Sequence, residues 1–206
     1  MHKLAEIFQA SNSIQDYTER YCTRLSELLR GLNTAAVAQA AARIDRASRE
    51  GHVLYIIGNG GSAAAAAHLV NDFVAGSYAE GHPAFRVFNL SDNVSTVTAL
   101  SNDAGYENIF AHQLRVYLKP EDVVLAMSVS GNSENLVRGI ACARELGAAT
   151  IGFCGFTGGK LAQACDTVVH VPATLDEYGP IEDIFVVLGH ILTGYLAMQR
   201  GKFLHH

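Results

Sequence analysis

Proline and charge are both scarce in this 206-residue chain, with four prolines and 17% Asp, Glu, Lys and Arg. Soluble domains usually carry roughly 25% charged residues, so a large part of this chain is expected to be buried. The same shortage, beside a hydrophobic share of 49%, excludes intrinsic disorder. Positive charge is in deficit as well: 15 Lys and Arg face 20 Asp and Glu, for a net charge of −5. Such a balance offers no general attraction to nucleic acid, and no nucleic-acid partner is expected. No continuous apolar run reaches the ~18 residues of a membrane span, so no membrane association is expected either. The opening Met1-His2-Lys3-Leu4-Ala5-Glu6 meets charge too early for a signal peptide, which predicts a cytoplasmic protein.

Cysteine is sparse too. Cys22, Cys142, Cys154 and Cys165 include no CxxC pair, which excludes a zinc ribbon and a thioredoxin-type motif. Cys142 and Cys154 lie in apolar stretches and read as small core residues with free thiols, as in a reducing compartment. The terminal His205-His206 pair is assigned no chemistry.

Glycine, by contrast, is plentiful at nineteen residues. So many glycines beside so few prolines predict turns that need backbone freedom rather than rigidity. The length suits one α/β domain. Residues 1 to about 50 are amphipathic at helical spacing, with Leu25, Leu28 and Leu29 as one patch and Ala36, Ala40, Ile44 and Ala47 as another. Two helices are predicted there, broken near Gly31-Leu32-Asn33, with Asn33 or Thr34 capping the second. Five short apolar runs follow, at 53–57, 84–88, 123–127, 150–153 and 167–171. Most are separated by helix-like segments, and 181–199 reads as a long apolar helix. Continuous apolar strands alternating with helices predict a parallel sheet covered on both faces. The expected fold class is α/β, a three-layer α/β/α sandwich with a mostly parallel five-stranded sheet and an N-terminal helical extension. Two helices cannot build a core of their own, so the extension must pack on the domain or on a second subunit.

The chemistry starts where two strands end. The first run leads into Gly58-Asn59-Gly60-Gly61-Ser62 and then an alanine-rich helix, which puts a glycine loop at a helix N-terminus. Unpaired N–H groups and the positive end of the dipole suit a phosphate or carboxylate there. The run 123–127 leads into Ser128-Val129-Ser130-Gly131-Asn132-Ser133 and another helix. Three hydroxyls in one turn can hydrogen-bond phosphate oxygens. Taken alone, this loop reads equally as turn chemistry with Ser133 as an N-cap. Two such loops at equivalent places favour a phosphorylated ligand. The first loop lacks the spacing and the acidic partner of a dinucleotide site, and no Walker A ending follows. A small phosphate ester is the better fit.

Together, Gly58-Asn59-Gly60-Gly61-Ser62-Ala63-Ala64, Asn102-Asp103-Ala104-Gly105-Tyr106-Glu107 and Ser128-Val129-Ser130-Gly131-Asn132-Ser133 resemble the sugar isomerase (SIS) domain. More narrowly they resemble the bacterial phosphoheptose isomerases, through nearly the whole chain. The resemblance implies a phosphosugar aldose–ketose isomerase, acting on sedoheptulose 7-phosphate or a related long-chain ketose phosphate. It implies a homotetramer with sites between subunits, and one domain over 1–206. Residues 1–50 would then be an extension used in subunit packing and 51–206 the phosphosugar-binding core. Substrate binding carries over to Asn59, Gly60, Gly61, Ser62, Asn102, Asp103, Ser128, Val129, Ser130 and Ser133, with Asp72 and Glu182 completing the set. The family's zinc site falls on His68, Asp72, Glu182 and His190, and its acid–base pair on Asp72 and His190.

Local spacing allows this. His68 and Asp72 are i,i+4 on one helix, and Glu182 and His190 are two turns apart on another, so zinc or a similar divalent ion has plausible donors. The residues alone also allow a surface ion pair at His68–Asp72 and a hydrogen-bonded core histidine at His190. Four positions depart from the family pattern: Asp72 replaces Glu, Glu182 replaces Gln, Gly76 replaces Arg and Gly179 replaces Asp. These changes leave room for a different sugar, for a non-catalytic relative that binds the replication initiator or another protein, or for a phosphosugar sensor.

Overall fold

The structure is a computed structural model that describes residues 2–203; Met1, Leu204 and the His205-His206 pair lie outside the described residues. The chain opens with α1 (Lys3–Ala10), α2 (Ile14–Arg30) and α3 (Thr34–Glu50). The sequence predicted two helices here, and a third arises from a break at 11–13. At that break the Ser13 hydroxyl accepts from the Asp16 N–H and caps α2. The break near Gly31 falls as expected. Asn33 caps α3 by accepting from the N–H groups of Ala35 and Ala36.

Strands β1 (Val53–Gly58), β2 (Arg86–Asn89), β3 (Val123–Ser128), β4 (Ala149–Cys154) and β5 (Thr167–His170) follow. Between them lie α4 (Gly60–Asn71), α5 (Val94–Asp103), α6 (Ile109–Tyr117), α7 (Glu134–Glu145) and α8 (Leu161–Ala164), and α9 (Tyr178–Gln199) ends the fold. The strands make one sheet in the order β2-β1-β3-β4-β5, with every pairing parallel.

Strand residues alternate between two cores, which is why the runs are continuously apolar. Leu54, Ile56, Leu125, Met127, Ile151 and Phe153 face α3, α4 and α9. Val53, Tyr55, Ile57, Val124, Ala126 and Cys154 face α6, α7 and α8. The architecture is the expected three-layer sandwich, and Cys142 and Cys154 are buried free thiols, as read from the sequence.

Among the described residues, α9 is one helix long and apolar enough to cross a membrane. Its apolar face has a destination in this fold, since Ile181, Ile184, Phe185, Leu188, Leu192 and Leu196 are buried against the sheet and its flanking helices. Each such side chain contributes roughly 1.5–3 kcal/mol when fully buried.

The strand order decides where a ligand can sit. The chain leaves β1 toward β2 on one side and resumes at β3 on the other. Loops after β1 and β3 therefore diverge at the sheet's carboxyl edge and open a crevice between them.

Candidate active site

Both glycine-serine loops open at that crevice. Asn59, Gly60, Gly61 and Ser62 from the first, and Ser128, Val129, Ser130 and Ser133 from the second, line one pocket of about 350 Å³. Met127, Leu136, Tyr178 and Glu182 complete its walls. Gly60 has a φ of +52°, which lets the backbone turn straight into α4. The second loop is built tightly. The buried Ser128 hydroxyl accepts from the Gly131 N–H at 3.1 Å, and the Ser130 hydroxyl accepts from the Asn132 N–H at 3.2 Å. Gly131, at φ +65°, packs against the backbone of Gly158, and a Cβ there would collide with it.

Ser133 stands at the N-cap position of α7, yet its side chain makes no cap hydrogen bond. The N-cap reading of this serine is therefore not realised, and its residue lines the pocket instead.

The second feature is a cluster on α4 and α9, which pack side by side. His68 Nε2 lies 2.8 Å from His190 Nε2, and each is 3.5 Å from Asp72 Oδ2. The two rings meet edge to face at 5.0 Å. Beyond Asn71, α4 widens into a π-turn over Asp72–Gly76, which carries the Asp72 carboxylate. Such turns frequently accompany functional sites. Ser77, fully buried, fastens this turn: its hydroxyl donates to the Asp72 carbonyl at 3.1 Å and lies 3.4 Å from the Thr193 carbonyl of α9.

Three donor atoms converging within 4.8 Å fit a divalent cation. Ligands at ~2.0–2.2 Å from a tetrahedral ion stand roughly 3.3–3.5 Å apart, so the two edges to Asp72 fit as they are. The imidazoles would part by about 0.5 Å to do the same.

Glu182 does not join this set, although the resemblance put it there. Eight residues of helix separate it from His190, a rise of ~12 Å along α9. Its carboxylate packs instead against Gly61 at the pocket, where a Cβ on that glycine would overlap it. Burial, and then the neighbouring Asp183 carboxylate, push Glu182 above the usual carboxylate range. Asn102 and Asp103, the other expected substrate residues, are exposed at the end of α5 and bond to each other at 2.8 Å, outside the pocket lining.

The start of α9 is anchored by a pair that the sequence reading missed. Glu177, fully buried, takes hydrogen bonds from Arg24 of α2 at 2.7 and 3.2 Å and from the Thr174 N–H at 2.6 Å. That holds Tyr178 and Glu182 at the pocket. Gly179, one of the departures from the family pattern, also has a local reason: a Cβ there would sit 3.3 Å from the Tyr21 hydroxyl, which donates to Asp183. Among the described residues, nothing accounts for Gly76.

Comparison with known proteins agrees with this geometry. The SIS domain family matches residues 16–155. The phosphoheptose isomerase of Rhodospirillum rubrum is 36% identical over 183 residues, spanning 88% of this chain and 96% of that protein. That of Aquifex aeolicus is 34% identical over 193 residues, spanning 93% of each. Among solved structures, a phosphoheptose isomerase from Francisella tularensis superposes with a TM-score of 0.81 at 26% identity, covering 96% of this chain and 100% of that one. With its pocket at the sheet's switch point and its His–Asp–His cluster on the flanking helices, the chain belongs to the SIS-domain family, alongside members named phosphoheptose isomerase.

Proposed function

We propose that this protein is a phosphosugar isomerase of the phosphoheptose-isomerase type. It interconverts a ketose phosphate and an aldose phosphate, with sedoheptulose 7-phosphate or a related long-chain ketose phosphate as substrate. One observation carries the reading: a loop pocket suited to phosphate and a convergent His68–Asp72–His190 cluster share the same two helices. That cluster, and relatives named as isomerases, favour the enzyme over the partner-binding and sensing readings.

The phosphate sits among Ser128, Ser130 and Ser133, on the backbone N–H groups at the start of α4, held far from the reacting carbons so that its binding energy serves the chemistry. Val129 and Ser62 shape the pocket wall, and Asn102 and Asp103 are the residues that the resemblance assigns to sugar hydroxyls. One of Asp72 and His190 takes a proton from C1 of the ketose, and a cis-enediolate forms as the C2 carbonyl gains charge. The proton returns to C2, while the other group moves the proton from O1 to O2, leaving an aldehyde at C1. A histidine serves such two-way traffic near neutral pH.

His68, Asp72 and His190 are the residues that hold a divalent ion, and zinc suits this N/O set. When bound, that ion polarises the carbonyl and offsets enediolate charge. In the tetramer that the resemblance implies, sites lie between subunits, so Glu182 reaches such a cluster as a fourth ligand only from a neighbouring copy. Residues 1–50 then serve subunit packing around the 51–206 core. The reading places the protein in the cytoplasm, without nucleic-acid or membrane partners.

The test is proton exchange at the carbon next to the carbonyl in deuterated water, with zinc present, over ketose phosphates of six to eight carbons. Exchange with a seven-carbon substrate is expected. Failure of every ketose phosphate would overturn the isomerase reading.

A further inference from the structure

Asn59 occupies the N-cap of α4, and asparagine is among the strongest capping residues. Two other asparagines in this fold behave accordingly: Asn33 and Asn93 accept from backbone N–H groups at the starts of α3 and α5. Asn59 makes no such bond. Its amide is held elsewhere. Asn59 Nδ2 donates to Asn135 Oδ1 at 2.9 Å, and Asn135 Nδ2 donates back to Asn59 Oδ1 at 2.9 Å. The Tyr106 hydroxyl donates to the same Asn59 Oδ1, also at 2.9 Å.

The backbone favours this direction. The Leu136 N–H, shared with the Ser133 carbonyl at 3.1 Å, donates to Asn135 Oδ1 at 3.0 Å, so the Asn135 oxygen faces that way and its NH₂ faces Asn59 Oδ1. Both lone pairs of Asn59 Oδ1 are then occupied, and one of its two N–H groups is spent on Asn135. What remains toward the pocket is a single N–H donor. The uncapped N–H groups at the start of α4 remain as well.

We propose that Asn135 and Tyr106 are positioning residues that keep Asn59 from capping its own helix, so that the α4 N-terminus stays free for the substrate's phosphate. The proposal rests on the reading of this pocket as a phosphate site. Asn135 is 2% exposed and meets the pocket residue Asn59 through its amide, whereas Tyr106 comes from the turn after α5 and is half exposed. Without either donor, Asn59 Oδ1 regains a free lone pair. It can then swing back onto the N–H groups of α4 and compete with the anion.

Tyr106→Phe removes one donor at an exposed position. Asn135→Asp keeps an acceptor for Leu136 and removes the other donor. Titration calorimetry with inorganic phosphate reads the effect without turnover. Tyr106→Phe should weaken phosphate binding roughly five-fold, since one hydrogen-bonded cap is being restored against the ligand, and Asn135→Asp by more, since its new charge also repels the anion. The thermal midpoint of Tyr106→Phe should not fall, because a cap is gained. With substrate, KM should rise and kcat should hold.

The decisive arm uses Asn59→Gly, which has no side-chain oxygen to compete. In that background Tyr106→Phe should have no further effect on phosphate affinity. Wild-type affinity in both single variants would overturn the proposal, as would an equal loss in the Asn59→Gly background. A wild-type protein that binds neither phosphate nor phosphosugars would overturn the pocket reading itself. Wild-type binding with unaffected variants would remove only the role of Asn135 and Tyr106.

Discussion

The Nε2 atoms of His68 and His190 stand 2.8 Å apart, although 122 positions separate the residues in the chain. Two imidazole nitrogens that close either share one proton or share a third group. Asp72, 3.5 Å from each, closes the triangle on the side a cation would face. Replacing a residue that merely orients a metal ligand costs roughly 10–100-fold in affinity, so loss of a ligand should cost more. His190→Ala and Asp72→Asn are therefore expected to weaken zinc binding more than ~100-fold in competition with a chelating dye. Both should also lose substrate proton exchange. Full exchange by His190→Ala would remove it from the acid–base pair.

Ser128 and Ser133 belong to one loop but should fail differently. Ser128 closes the turn through Gly131 and is 4% exposed, so Ser128→Ala should lower stability by ~1 kcal/mol. Ser133 makes no cap bond, so Ser133→Ala loses no cap. Its unfolding midpoint should match the wild type, while KM for the phosphosugar rises about ten-fold or more, the cost of one hydrogen bond to a charged group. A drop in thermal midpoint without a change in KM would assign Ser133 to structure.

Glu182 should impose a pH dependence of a definite sign. Its pKa is raised by burial and then by Asp183, so the folded protein prefers its neutral form. Stability from that preference is present below the ordinary Glu value of 4.5 and is lost as pH rises through the raised folded value. Glu182→Gln should accordingly raise the urea midpoint at pH 7 and change it little at pH 4. It should also tighten phosphate binding at neutral pH by removing a charge that faces the anion. Weaker phosphate binding in Glu182→Gln would show that the carboxylate serves as a ligand contact.

Arg24 and Glu177 give the opposite dependence. Burial favours the neutral acid, but the hydrogen bonds from Arg24 and Thr174 outweigh it and hold Glu177 below its ordinary value of 4.5. The stability it contributes is present above that value and is lost as pH falls below it through the folded value. Arg24→Met leaves Glu177 buried without its partner and should cost about 3–5 kcal/mol in urea unfolding at pH 7. The same variant should lose less on acidification than the wild type. Equal acid sensitivity would mean that other carboxylates dominate.

Much of the fold could be read from the chain because its signals are local. The runs at 53–57 and 123–127 are β1 and β3 to within a residue, since a strand buried on both faces needs unbroken apolar sequence. The alanine run after Gly61 could hardly be other than helix. The break at 11–13 was missed because apolar spacing continues across it, and only the Ser13 cap marks it. The π-turn at Asp72 has no sequence signature. Glu182 entered the zinc set through the resemblance, and within one subunit two turns of helix carry it ~12 Å from His190. Asn135 went unnoticed because its partner lies 76 positions away and no periodicity links them.

By itself, then, the sequence determined the strand–glycine loop–helix units and the suitability of the loops for an anion. Those follow from backbone freedom, caps and dipoles within a few residues of one another. The tertiary structure alone decided that the two loops share a crevice, through the β2-β1-β3-β4-β5 order. It also decided that α4 lies on α9, so that His68 and His190 meet, and that within one subunit Glu182 lines the pocket. These outcomes depend on which apolar faces are buried together across the whole sheet, and no short stretch of chain contains that information.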